Sequence, residues 1–81
     1  MPEREALANR LKEYRKIHKL SQQDFAWDCG LSRELISLIE RQDENVKLDT
    51  LQSIAAYTGM TVSDLLSTVD LQSNGQKKNL N

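Results

Sequence analysis

Between Ser21 and Arg41 the sequence holds two helix starts and one helix stop, and this local punctuation constrains the fold more than any other feature. Ser21 is followed by Gln22, Gln23 and Asp24, the pattern of a capping box. In such a box the serine hydroxyl accepts from the third-position amide while the carboxylate reaches back to the serine's own N–H. The helix that begins there carries Phe25, Ala26 and Cys29 on one face and stops at Gly30, the residue best able to take the left-handed conformation past a helix end. Ser32 then caps a further helix, residues 33 to about 41, with Ile36 and Ile39 inward and Arg33, Glu34, Ser37 and Arg41 outward. Two short helices must meet across a turn of three or four residues.

The flanks are helical as well. Leu7, Leu11, Tyr14 and, one turn on, Ile17 or His18 recur at three- and four-residue spacing over residues 4–18. After the polar stretch QDENVK at 42–47, Leu48, Leu51, Ile54 and Ala55 repeat with helical spacing until Gly59. Thr61 and Asp64 form a second capping box, opening a short helix through Val62, Leu65 and Leu66. The expected fold is all-α, a compact five-helix domain over residues 4–71. From Ser73 the chain reads SNGQKKNLN, too polar to offset its ordering entropy, so residues 72–81 are expected to form a disordered tail.

Composition narrows the function. A chain of 81 residues buries only about 60% of its unfolded surface, which leaves little room to wall off a catalytic cleft. An enzyme is not expected, since no cluster of nucleophile, base and oxyanion donors can be placed in one cleft. No apolar run approaches the roughly 18 residues of a membrane span, and MPERE lacks the basic and apolar regions of a signal peptide, so a cytoplasmic protein is expected. One cysteine and one histidine support neither an internal disulfide nor a structural zinc site, and no metal or cofactor is expected. The net charge of −1 hides an asymmetry: residues 1–19 hold six basic and three acidic side chains, residues 20–50 three basic and seven acidic. The global basic excess of many nucleic-acid binders is absent, so motifs must carry that case.

A capped short helix, a Gly-containing turn and a second helix with small polar residues on its open face describe a helix-turn-helix, here residues 22–41. Around it lie RLKEYR (Arg10 to Arg15), LSQQDFA (Leu20 to Ala26), GLS (Gly30 to Ser32), ISLIER (Ile36 to Arg41) and TLQSIAAYTGMTVSDLL (Thr50 to Leu66). With their mutual spacing, these segments resemble the phage-repressor-like, Cro/cI-type (XRE) helix-turn-helix family over residues 10–66. The run NVKLDTL is similar to that of short controller regulators of restriction-modification systems.

The resemblance implies a lambda-repressor-like DNA-binding domain whose third helix lies in the major groove of double-stranded DNA. By position, Ser32, Arg33, Glu34, Ser37 and Leu38 match base-facing sites. Arg33 can donate twice to guanine, Glu34 can accept from cytosine N4 and Leu38 can touch a thymine methyl, each good bidentate pair giving about 1 to 3 kcal/mol of discrimination. Gln22 matches a phosphate-binding position, at a helix N-terminus that suits anions. Arg10, Arg41, Asn45 and Lys47 are further phosphate candidates, which position without reading sequence. For Lys47 a plain solvated charge is an equal alternative, because Asp43 and Glu44 beside it repel phosphate. Arg15 and Glu40 match a shielded ion pair joining the first and third helices.

Some residues depart from the family pattern. Lys19 and Gln42 stand where Gly is common after helices one and three, so those helix ends are expected to run on or fray. Thr58 replaces a usual core Leu and needs a hydrogen-bond partner if buried. Trp27 and Leu35 read as partly packed surface residues, His18 as a surface residue and Cys29 as an inert, inward thiol. Leu65, Leu66, Val69 and Leu71 exceed what one short helix can hide and suggest a dimer contact. Two copies related by a twofold would present their recognition helices about 34–36 Å apart, matching a palindromic operator.

Two functions follow. One is a dimeric transcription regulator, repressor or controller, reading a palindromic operator. The other is an antitoxin-like or adaptor module that holds a protein partner through Trp27, the leucines and the acidic loop.

Overall fold

The computed structural model describes residues 2–67, which form five α-helices: α1 (Pro2–His18), α2 (Gln22–Cys29), α3 (Arg33–Glu40), α4 (Leu48–Thr58) and α5 (Val62–Leu66). The expected polar tail, and Val69 and Leu71 with it, lie outside the described residues. α1 starts two residues earlier than its apolar spacing indicates. Pro2 stands at the first helical position, where its missing N–H costs nothing, and Glu3 and Glu5 follow in the positive first turn.

Both capping boxes are present with both of their bonds. Ser21 Oγ accepts from Asp24 N at 3.0 Å and Asp24 Oδ2 accepts from Ser21 N at 3.4 Å. Thr61 Oγ1 accepts from Asp64 N at 2.9 Å and Asp64 Oδ2 accepts from Thr61 N at 3.3 Å. Gly30, at φ 75°, ends α2, with Leu31 N donating to Ala26 O at 2.8 Å.

The expectation that α1 and α3 run on or fray past Lys19 and Gln42 does not hold. Lys19 (φ 57°) and Gln42 (φ 65°) take the left-handed conformation that Gly usually supplies. Leu20 N donates to Arg15 O at 2.8 Å, and Asp43 N donates to Leu38 O at 2.9 Å. Both are the six-to-one closures of a Schellman motif. The apolar residues beyond them drive the turn: Leu20 must reach the core after α1, and Val46 after α3.

The core comprises Leu7, Leu11, Phe25, Ala26, Ile36, Ile39, Leu51, Ile54 and Leu65, contributed by all five helices. α1 packs on α3 and α5, α2 packs on α3 and α4, and α4 closes against α5. Tyr14, Phe25 and Tyr57 form an aromatic cluster with ring centroids 5.4 to 5.8 Å apart. Of the two residues that could extend the α1 stripe, His18 stacks on Tyr14 at 4.1 Å while Ile17 is exposed. Leu48, read as part of the apolar repeat of α4, is also exposed, because it sits in the first turn, before the helix meets the core. Thr58 is half-buried, and its hydroxyl donates back to Ile54 O at 2.9 Å. That bond supplies the partner a buried threonine requires.

Candidate nucleic-acid interface

Recognition by a helix requires one face anchored in the core and the opposite face open. In α3, Ile36, Ile39 and Glu40 are buried, whereas Ser32, Arg33 and Glu34 are exposed and Ser37 and Leu38 half-buried. The five residues expected at base edges therefore lie along the outer side and N-terminal end of one short helix, as the 3.6-residue repeat dictates. Ser32 caps it: Leu35 N donates to Ser32 Oγ at 3.1 Å. The hydroxyl proton of Ser32 remains able to donate outward.

Arg15 and Glu40 fix this helix from behind. Arg15 Nε donates to Glu40 Oε2 at 2.7 Å and Arg15 NH2 to Glu40 Oε1 at 2.8 Å, the parallel two-bond geometry of guanidinium and carboxylate. Glu40 is only 5% exposed, and the bond to it, set against desolvation, holds the Arg15 guanidinium still more firmly protonated than usual. Arg15 NH1 also donates to Leu20 O at 3.1 Å, which ties the α1–α2 turn to the same pair. Among the described residues, no buried side-chain nitrogen or oxygen lacks a partner. A buried charge is tolerated here because each of its oxygens is satisfied.

The expected phosphate residues are dispersed. Gln22, first in α2 and half-buried, donates through Nε2 to Glu40 Oε1 at 3.1 Å. Arg41 follows α3, exposed, with its Nε 3.3 Å from Asp43 Oδ2. Asn45 lies in the loop before α4 and accepts a hydrogen bond from Arg4 of α1. Lys47 is exposed at the N-cap of α4 and makes no capping bond through its side chain. Arg10 has partners within the chain. Its guanidinium donates to Asp64 O at 3.3 Å and to Ser67 O at 3.2 Å, so it clamps α1 to the C-terminal end of α5. Carbonyls at a helix end attract a cation, which explains the placement.

Leu65 requires a correction: it is fully buried in the protomer's own core and has no surface to offer another copy. Leu66 is half-buried. On α2, Trp27 is 78% exposed. Tyr57 Oη donates to Asp28 Oδ2 at 2.7 Å and links α4 to α2. That bond, helped by burial, raises the Tyr57 pKa above its ordinary value. Burial, with the nearby Asp28 charge, pushes the Cys29 thiol up to about 11. The thiol is therefore protonated and weakly nucleophilic at neutral pH.

Spacing and helical phase do not reveal the contacts of Arg4 with Asn45, Gln22 with Glu40 and Tyr57 with Asp28. Each joins elements far apart in the chain, and the only sequence signal available was the polar character of the partners.

Comparisons with known proteins bear on the family and the fold. Residues 10–70 match the Cro/C1-type HTH DNA-binding domain. The chain is 38% identical over 69 residues to the control protein C.SmaI of Serratia marcescens, covering 85% of this chain and 82% of that one. It is 41% identical over 63 residues to the control protein C.MunI of a Mycoplasma species, covering 76% and 85% respectively. Its fold is similar to the crystal structure of a hypothetical transcription factor, NHTF, from Neisseria, with a TM-score of 0.75 and 32% identity over 80% of this chain and 73% of that one. The chain belongs to the Cro/C1-type helix-turn-helix family of DNA-binding domains, which is not a class of enzyme. No helix among the described residues is long and apolar enough to cross a membrane.

Proposed function

We propose that this chain is a cytoplasmic transcription regulator that reads the major groove of a palindromic operator as a homodimer, acting as repressor or controller. The observation that carries the reading is the exposed N-terminal turn of α3, with Ser32, Arg33 and Glu34 outward on a helix whose inner face is held by Ile36, Ile39 and Glu40. Arg33 and Glu34 present a donor fork and an acceptor side by side, which suits a guanine and a cytosine edge. Ser37 and Leu38 continue that surface one turn further along. Phosphates are held by the first amides of α2 with Gln22, and by Arg41, Asn45 and Lys47. The control proteins of Serratia and Mycoplasma that it resembles support the regulatory role. Leu66, with Val69 and Leu71 beyond the described residues, is the proposed contact between protomers.

Selection of bound sequences from a random duplex pool at near-physiological salt tests this reading. An enriched palindrome supports a dimeric reader; a folded protein that enriches nothing overturns it. In that second case the adaptor reading stands, favoured by the exposed Trp27 and the acidic excess of residues 20–50. Salt also separates the two. Binding through several phosphate contacts weakens steeply as salt rises, whereas protein partnering need not.

A further inference from the structure

Gln22 and Glu40 meet at a junction that an account of Gln22 as a phosphate contact leaves unused. Glu40 is the last residue of α3, and its partners lie elsewhere: Arg15 on α1 and Gln22 at the start of α2. Its Oε1 accepts both from Arg15 NH2 at 2.8 Å and from Gln22 Nε2 at 3.1 Å. With Arg15 also bonded to Leu20 O, one buried carboxylate gathers α1, the α1–α2 turn and the start of α2 onto the end of α3.

Hydrogen-bond inventory sharpens the point. A glutamine amide nitrogen carries two N–H donors; one is committed to Glu40, and the other is left for a ligand beside the first backbone amides of α2. Arg33 lies seven residues before Glu40, about 10 Å along the helix axis. A small tilt of α3 about its Glu40 end therefore carries Arg33 out of the narrow distance range of a hydrogen bond. We infer that Gln22 is a positioning residue that sets the register of α3 against the phosphate anchor, so that discrimination between sequences, and not affinity alone, depends on it. The inference rests on the DNA reading above and deepens it.

The test compares the full-length protein with Gln22→Met, which keeps the length of the side chain and removes its donors. Affinity is measured for the duplex enriched from the random pool and for a scrambled duplex. The expected result is a fall in the ratio of the two affinities of about tenfold or more, the loss of one well-formed base contact. Equal weakening on both duplexes, with the ratio unchanged, would mark a phosphate contact only and overturn the inference.

Gln22→Glu adds a pH profile that general destabilisation would not produce. The charged groups bonded at this junction are Arg15 of α1 and Glu40 of α3. A neutral acid there can donate to Glu40 and an ionised one cannot, so the ratio falls as pH rises through the titration of the introduced carboxyl, with wild type at each pH as the baseline. A ratio that does not change with pH overturns the inference.

A double-mutant cycle of Gln22→Met with Glu40→Met, which removes the acceptor as well as the donor, checks the bond in urea unfolding without DNA. Absence of coupling overturns the inference at its root. A wild type with no preferred duplex overturns the DNA reading and this inference with it, and the cycle distinguishes that failure from absence of the bond.

Discussion

The Glu40 carboxylate receives two parallel hydrogen bonds from Arg15, at 2.7 and 2.8 Å, in a place where only 5% of Glu40 is exposed to water. Breaking such a pair from one side leaves a charge without a partner. Glu40→Gln or Arg15→Met is expected to destabilise the domain by about 3 kcal/mol, the low end of the usual 3–5 because Arg15 remains partly hydrated. Replacing both together should cost less than either change alone. Urea unfolding of the three variants measures this, and a double variant weaker than both singles would contradict it.

Lys19 and Gln42 hold left-handed conformations that disfavour a side chain. Lys19→Gly and Gln42→Gly should each stabilise the fold by about 1 kcal/mol, since relief of strain outweighs the extra freedom glycine has when unfolded. Thermal melting decides the matter: the midpoint rises if the strain is real and falls if backbone entropy dominates.

Cys29 titrates upward from 9.0 to about 11, and Tyr57 also moves upward from its ordinary 10.0. The folded state thus binds more protons than the unfolded state once pH exceeds 9. Stability is fully present below pH 9 and declines as pH rises toward 11 and beyond. Cys29→Ala should flatten the first part of that decline. At pH 8, alkylation of the folded protein by iodoacetamide should run about a hundredfold slower than that of a free thiol, as the thiolate fraction dictates.

Arg41 stands 3.3 Å from Asp43, and both side chains are more than half exposed. A pair this exposed adds at most about 1 kcal/mol to the fold. If Arg41 meets phosphate, Asp43 competes for it and repels the same phosphate. Asp43→Asn is expected to tighten binding to all duplexes a few-fold and to leave stability nearly unchanged. Fluorescence anisotropy on specific and scrambled duplexes reads both; unchanged affinity would remove Arg41 from the interface.

Arg33→Ala should cost about 1 to 3 kcal/mol on the preferred duplex and relax the requirement at one base position. Repeating the duplex selection with the variant shows which position that is. A uniform loss at every position would place Arg33 on phosphate.

The parts of the fold that are written locally were open to reading. Ser21 with Asp24 and Thr61 with Asp64 are three residues apart, so their capping bonds depend on little beyond their own turn. The open face of α3 follows from the spacing of Ile36 and Ile39 in the same way. The partners of Arg10 were not legible because the carbonyls that hold it belong to Asp64 and Ser67, more than fifty residues away. Lys19 and Gln42 were misjudged because propensity describes the isolated turn, while burial of Leu20 and Val46 decides it in the folded chain. Leu65 was assigned to a partner because helical spacing gives the direction of a side chain and not what already covers it. The register of Gln22 on Glu40 needed coordinates, since a long amide can reach several acceptors.

Trp27 is the only tryptophan of the chain and stands 78% exposed on α2. Its indole is already hydrated in the native state, so its emission maximum should barely shift when the isolated domain unfolds. The same property makes it a quiet background against which association stands out. Any macromolecule that covers the ring will dry it and move its emission to shorter wavelength. The protein thus carries a native optical label for contact at α2.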